Sequence, residues 1–228
     1  MKILTLAAFL LLGNGSGTTP AAEQIPADFT DVSTLAADIQ VHLAYLGSHN
    51  FVGSKVDGYA ANKCYLQQNA AQALAEAQRA ASARGYALWL FDCYRPQRAV
   101  DHFMRWAKDL QDTKTKSEFY PQLPKDKLVG EYIAEKSGHS RGSTLDLTLA
   151  AKNAEGLWQP IDMGSPFDLF DPISNVGARS INAAQQANRQ LLQDIMSAAG
   201  FSVYNMEWWH FTHQPPAYTD TYFDFPIR

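Results

Sequence analysis

Two short clusters carry the side chains that could do chemistry together. Ser137-Gly138-His139-Ser140-Arg141-Gly142-Ser143-Thr144-Leu145-Asp146 holds a histidine and an aspartate seven positions apart. Far downstream, Glu207-Trp208-Trp209-His210 holds a glutamate and a histidine three positions apart. Two imidazoles and one carboxylate make a three-ligand set for zinc, and a catalytic zinc keeps a fourth position open. The remaining Glu207 is a candidate base for water at such a site. His213 is the other possible ligand.

The surroundings of each residue bear on that reading. Gly138 and Gly142 let backbone come close to a bound ion beside His139. Asp146 lies between Leu145 and Leu147, and in a strand those neighbours point the other way. Burying its carboxylate is costly unless it is paired or metal-bound, so a metal, Arg141 or Arg95 must meet it. Glu207 and His210 align on a helical turn, whereas a straight strand sends them to opposite faces. A bend is therefore required if both serve one site. Trp208 and Trp209 are bulky enough to wall and dry a pocket. Arg95 follows an apolar run and precedes Pro96, a place suited to holding an oxyanion or a carboxylate. An ion pair with Asp92 is the competing role. His42, His49 and His102 have no such partners and are read as non-catalytic.

These groups need a frame. The alanine-rich stretch 69–84 predicts a helix, with Gly85 at its C-terminus. Tyr86 to Phe91 predicts a buried strand, and Gln97 to Leu110 a second helix with Val100, Phe103, Met104 and Ala107 on one face. Gln111 to Leu128 is polar and reads as a surface loop or lid. Thr144 to Leu149 predicts a strand, 150–172 irregular chain, 182–199 a third helix and 201–206 a last strand. Asp38 to Asn50 has no clean period and is expected to wrap the core. The sum is one α+β domain, an antiparallel or mixed central sheet flanked by helices.

The chain has 228 residues and a formal charge of −4. Residues 1–22 read as a secretory signal: Lys2, an apolar run from Ile3 to Leu12, small polar residues, then Ala21-Ala22. The run is too short to span a bilayer, and no later stretch approaches that length. A mature domain over 23–228 is long enough for a real core. Mild acidity with 18 % charged residues argues against nucleic acid and anionic membrane as partners. Export would permit a disulfide between Cys64 and Cys93, the only cysteines, though spacing alone leaves bridge and free thiols equally open.

Taken as a set, these residues resemble the D,D-dipeptidases of the VanX type among the M15 zinc peptidases. Ser137, His139, Gly142 and Asp146 match that family's Ser-x-His-x-x-Gly-x-x-x-Asp motif, and Glu207 and His210 its Glu-x-x-His. Arg95 matches the arginine of Tyr-Arg-Pro. Asn50-Phe51-Val52-Gly53 and Met163-Gly164-Ser165-Pro166-Phe167-Asp168 match two further stretches. The resemblance implies a Hedgehog/D,D-peptidase-like fold and one zinc per chain on His139, Asp146 and His210. It also implies Glu207 as base, Arg95 as transition-state stabiliser, and free D-alanyl-D-alanine as substrate. The alternatives are a D,D- or L,D-carboxypeptidase acting on peptidoglycan stem peptides, or a non-enzymatic zinc-containing wall-binding protein. With the leader, the expectation is a periplasmic or secreted enzyme of wall-peptide recycling or scavenging rather than of cytoplasmic resistance.

Overall fold

In chain order the strands are β1 (Phe29–Asp31), β2 (Gln40–Val41), β3 (Tyr65–Gln67), β4 (Ala87–Asp92), β5 (Thr144–Lys152), β6 (Trp158–Pro160), β7 (Phe201–Tyr204) and β8 (Glu207–His213). The helices are α1 (Gln68–Ser82), α2 (Gln97–Lys108), α3 (Lys116–Phe119) and α4 (Ala183–Ala198). This computed structural model describes residues 23–228, so the expected signal at 1–22 lies outside the described residues. The main sheet runs β2-β4-β5-β8-β7, with β6 paired to β5. Only β2 against β4 is parallel, so the sheet is mixed. β1 and β3 form a separate two-stranded antiparallel sheet. The fold is α+β, a central sheet flanked by helices.

The alternation along β5 separates two environments. Leu145, Leu147 and Leu149 join Leu88 and Leu90 in a core covered by α1 and α4. The buried face of α1 is mostly alanine, which lets its axis approach the sheet closely. α4 contributes Leu192, Ile195 and Met196, and starts at a capping box of Asn182 and Gln185. A second core is aromatic: Tyr45, Phe51, Tyr94, Phe103, Trp106, Phe119, Tyr120 and Phe225 gather around α2. The Asp38–Asn50 segment does wrap the core, contributing β2 and the buried Tyr45. Asn50 is buried in the turn that follows. Its Nδ2 donates to Gly47 O and Ser54 O, and its Oδ1 accepts from Val52 N and Gly53 N.

One expected element differs in kind. Residues 111–128 are not a free surface loop. They hold α3, and Phe119, Tyr120, Lys125 and Leu128 are buried in the second core. Lys125 Nζ donates to Asp109 O and Asp112 O and sits 3.8 Å from the Trp106 ring centroid. That lysine replaces solvent for two loop carbonyls, which is why a polar stretch packs inward.

Candidate active site and metal centre

The ladder places the acidic and basic groups in one row. Asp92 pairs with Asp146 across β4 and β5, and Asp146 pairs with His210 across β5 and β8. Two register irregularities make the row possible. One lies between Leu90 and Asp92 on β4. The other lies on β8: Val203 pairs with Phe211, yet Tyr204 pairs with Glu207. Residues 208–210 therefore bulge out of the β7 ladder. A bulge is the bend that lets Glu207 and His210 face one site from a strand. Their side chains approach to 3.5 Å, Oε2 to Nδ1. The strand expected at 201–206 is β7, which ends at Tyr204, and it is not the last: the Glu-Trp-Trp-His run opens a further strand, β8.

His139 enters from a 3-10 turn, Gly138–Arg141, just before β5. Ser137 Oγ accepts from His139 N at 3.3 Å to start the turn. Gly142, at φ 81, ends it, and a Cβ there would lie 2.4 Å from Cε1 and Cζ of Phe29. His139 Nδ1 sits 2.7 Å from the Cys93 carbonyl. A carbonyl only accepts, so Nδ1 carries the proton and Nε2 is left as the ligand atom. That Nε2 is 3.3 Å from Asp146 Oδ2 and 3.3 Å from His210 Nδ1. His210 Nδ1 is 3.0 Å from Asp146 Oδ1. One ligand atom from each of His139, Asp146 and His210 falls within 4.8 Å of the others.

Three observations show that the residues fit a metal. The ligand atoms converge, His139 presents the correct nitrogen, and buried Asp146 Oδ1 has no donor aligned on it. A divalent cation would satisfy that orphan acceptor. His213 lies outside the cluster, its ring 5.2 Å from Phe201. His42 stacks on Trp89, His49 pairs with Glu118, and His102 accepts from Asp57 N.

Arg95 makes the ion pair with Asp92 that the sequence offered as its competing role. Nε donates to Asp92 Oδ2 at 2.9 Å, and Nη2 is 3.5 Å from Asp146 Oδ2. The guanidinium carbon lies 5.2 Å and 5.0 Å from the Tyr45 and Phe103 ring centroids. Asp92 is fully buried and also accepts from Tyr59 Oη at 2.6 Å. This second tier holds the guanidinium while leaving it on the wall of a cavity. The cavity, about 250 Å³, is lined among others by Arg95, His139, Asp146, Asp168, Glu207 and His210. Residues 130–134 and 136–138 close its side, not 111–128.

Burial governs the titration of these groups. It pushes the Glu207 carboxyl up to about 7, against the pull of His210. Burial likewise lowers His139. At Asp146 burial acts upward, but His139 and His210 outweigh it and hold the carboxyl below its ordinary value. At His210 burial acts downward, and Asp146 and Glu207 reverse it, so the imidazole is raised. Asp168 is raised well above the carboxylate range by burial and then by Asp146.

Asp168 is a group that chemistry-first reading passed over. Its backbone is left-handed at φ 61, which turns the carboxylate inward, where Oδ2 accepts from Tyr45 Oη at 2.9 Å. The only signal was its place at the end of the Met163–Asp168 stretch. Asp92 entered solely as a partner for Arg95, because its contact with His139 depends on the ladder. Cys64 and Cys93 form a disulfide, with Cα atoms 5.3 Å apart.

Two imidazoles and a carboxylate converging in a cavity beside a spare raised glutamate are the equipment of a metal-dependent hydrolase. Comparison with known proteins makes this specific. Residues 26–228 match the Peptidase_M15 family, described as D-ala-D-ala dipeptidase. A D-alanyl-D-alanine dipeptidase of Streptomyces coelicolor is 44 % identical over 88 % of this chain and 98 % of its own. One of Enterococcus faecium is 37 % identical over 88 % and 98 %, and one of Enterococcus faecalis is 44 % identical over 78 % and 87 %. The chain belongs to the M15 peptidase family of D-ala-D-ala dipeptidases. A solved D,D-pentapeptidase, VanY with Zn(II), overlaps loosely: TM-score 0.39 and 15 % identity over 68 % of this chain and 76 % of that one.

Proposed function

We propose that this protein hydrolyses D-alanyl-D-alanine to two D-alanines with one zinc per chain. The observation that carries the reading is the convergence of His139, Asp146 and His210 within 4.8 Å in the small cavity that Glu207 and Arg95 also line. Zinc on these three residues would supply Lewis-acid polarisation of the peptide carbonyl and acidify water. Glu207, desolvated and 3.5 Å from His210, takes a proton from the attacking water. It returns that proton to the leaving amine as the C–N bond breaks. Arg95, fixed by Asp92, faces the negative charge that grows on the carbonyl oxygen. Asp168, whose one hydrogen-bond donor among the described residues is Tyr45 Oη, suits the substrate's ammonium group, whose positive charge would offset the burial and the Asp146 repulsion that hold the empty site's carboxyl up.

The compartment follows from a separate line of support. The leader-like 1–22 segment predicts export, and a disulfide between buried cysteines is at home in an oxidising compartment. We place the enzyme in the periplasm or outside the cell, acting on dipeptide from the wall for recycling or nutrition. No helix among the described residues is long and apolar enough to cross a membrane.

The test is to incubate metal-quantified protein with D-Ala-D-Ala, L-Ala-L-Ala and a pentapeptide ending in D-Ala-D-Ala, and to measure released alanine. Cleavage of the free D,D-dipeptide alone, with one zinc per chain, is expected. Cleavage of the pentapeptide moves the protein to the carboxypeptidases. No cleavage by zinc-loaded protein leaves a zinc-containing binding protein.

A further inference from the structure

The Cys64–Cys93 bridge lies next to the metal cluster, and nothing in the mechanism above uses it. Both cysteines are buried, at 0 % and 1 % exposure. Cys93 sits one residue beyond the last pair of the β4–β5 ladder, Asp92 with Asp146. Sheet hydrogen bonds therefore do not hold its carbonyl. Yet that carbonyl is the acceptor for His139 Nδ1 at 2.7 Å. Its flanking residues also touch the site: Asp92 Oδ2 is 3.6 Å from the same nitrogen, and Arg95 N donates to His139 O at 3.4 Å.

Cys64 anchors the other end in different architecture. It immediately precedes β3, which pairs only with β1 and is not part of the main sheet. β3 already braces the His139 turn from the far side, since Gln67 N donates to Gly142 O at 2.7 Å. Among the described residues, the backbone hydrogen bond between β3 and the 92–95 segment is Tyr94 N donating to Tyr65 O at 3.0 Å. The His139 turn is thus held between β3 on one side and the Cys93 carbonyl on the other, and the bridge fixes the distance between those two supports.

Resting on the metal reading above, we propose that the Cys64–Cys93 disulfide is a positioning element for the metal centre. It locks the Cys93 carbonyl that sets the tautomer and direction of His139. A partner of this kind, one step behind a ligand, changes metal affinity by about 10–100-fold when lost.

The test compares zinc affinity, by competition with a chromophoric chelator, for three proteins. These are the oxidised wild type, shown free of titratable thiol, the C64A/C93A pair, and a Leu192→Ala control. Leu192 is fully buried in the α4 core and does not line the cavity. Its truncation costs stability comparable to losing the bridge. Near-UV circular dichroism reports folding of each. The expected result is a zinc dissociation constant about 10–100-fold higher for C64A/C93A, with Leu192→Ala at the wild-type value. Equal affinity in all three proteins overturns the proposal. So does equal weakening of both variants, which would be a stability effect. A C64A/C93A protein that stays unfolded at saturating zinc assigns the bridge to the fold as a whole and also overturns it. Wild-type protein that binds no zinc removes the metal reading itself, an outcome distinct from the others.

Discussion

Gly142→Ala separates two costs that are usually confounded. Gly142 sits at φ 81, and a Cβ on it would lie 2.4 Å from two ring atoms of buried Phe29. Gly85 has nearly the same backbone, φ 83, but a Cβ there meets nothing within 4 Å. Left-handed backbone costs a non-glycine residue about 1–2 kcal/mol at either position. At Gly142 the Phe29 ring must also move within a packed core, which adds about 1–3 kcal/mol. Gly85→Ala should therefore lose about 1–2 kcal/mol and Gly142→Ala about 2–5 kcal/mol. For a domain of this size each kcal/mol is worth roughly 2–4 °C in Tm. Differential scanning calorimetry of the metal-free proteins should show a fall of roughly 2–8 °C for Gly85→Ala and a clearly larger one for Gly142→Ala. Because Gly142 closes the turn that carries His139, Gly142→Ala should also weaken zinc binding while Gly85→Ala leaves it alone. Equal Tm losses, or unchanged zinc affinity in Gly142→Ala, would show that the turn relaxes freely and does not set the ligand.

Other substitutions probe the chemistry directly. Glu207→Gln should retain zinc by metal analysis and lose about 10²–10⁴-fold in kcat; retained turnover removes it from the base role. Arg95→Ala should lower kcat by about 10²–10³-fold. It should also lower stability, because buried Asp92 loses its charge partner, at a cost of about 3–5 kcal/mol; an unchanged kcat, or an unchanged unfolding midpoint in urea, contradicts the corresponding half of that assignment. Asp168→Asn should raise KM for the dipeptide by about 10–100-fold, the worth of a charged hydrogen bond; a change confined to kcat would move Asp168 from binding to catalysis. Stripping zinc with a chelator should lower Tm, by an amount equivalent to about 4 kcal/mol when free zinc had stood at a thousandfold its Kd; identical melting of loaded and stripped protein would deny a site on the folded chain.

Much of this site was legible because chemistry and local pattern agreed. Asp146 between two leucines already implied a carboxylate alone on its face of a strand, and Leu145 and Leu147 do enter the α1–α4 core. The two histidines and Arg95 were visible as types at telling places. The bend needed between Glu207 and His210 was visible as a requirement, but not its form. A bulge is written in the pairing of β8 with β7, and pairing is a property of two strands. The cavity wall was misplaced for a similar reason. The polar composition of 111–128 suggested a lid, whereas burial of Phe119, Tyr120 and Lys125 pins that segment down and leaves 130–138 beside the site. Spacing could not join Cys64 to Cys93, because what joins them is the meeting of β3 with the end of β4.

The two adjacent tryptophans have different neighbourhoods. Trp209, 1 % exposed, lines the catalytic cavity. Trp208 lines a separate cleft with Phe91, Thr148 and Phe167, and its Nε1 donates to Ser165 Oγ. The wall of the reaction chamber therefore contains an intrinsic fluorophore. With Trp89, Trp106, Trp158 and Trp208 changed to phenylalanine, Trp209 would be the sole indole emitter. Its emission would follow filling and emptying of the cavity, with no attached dye to crowd so small a volume.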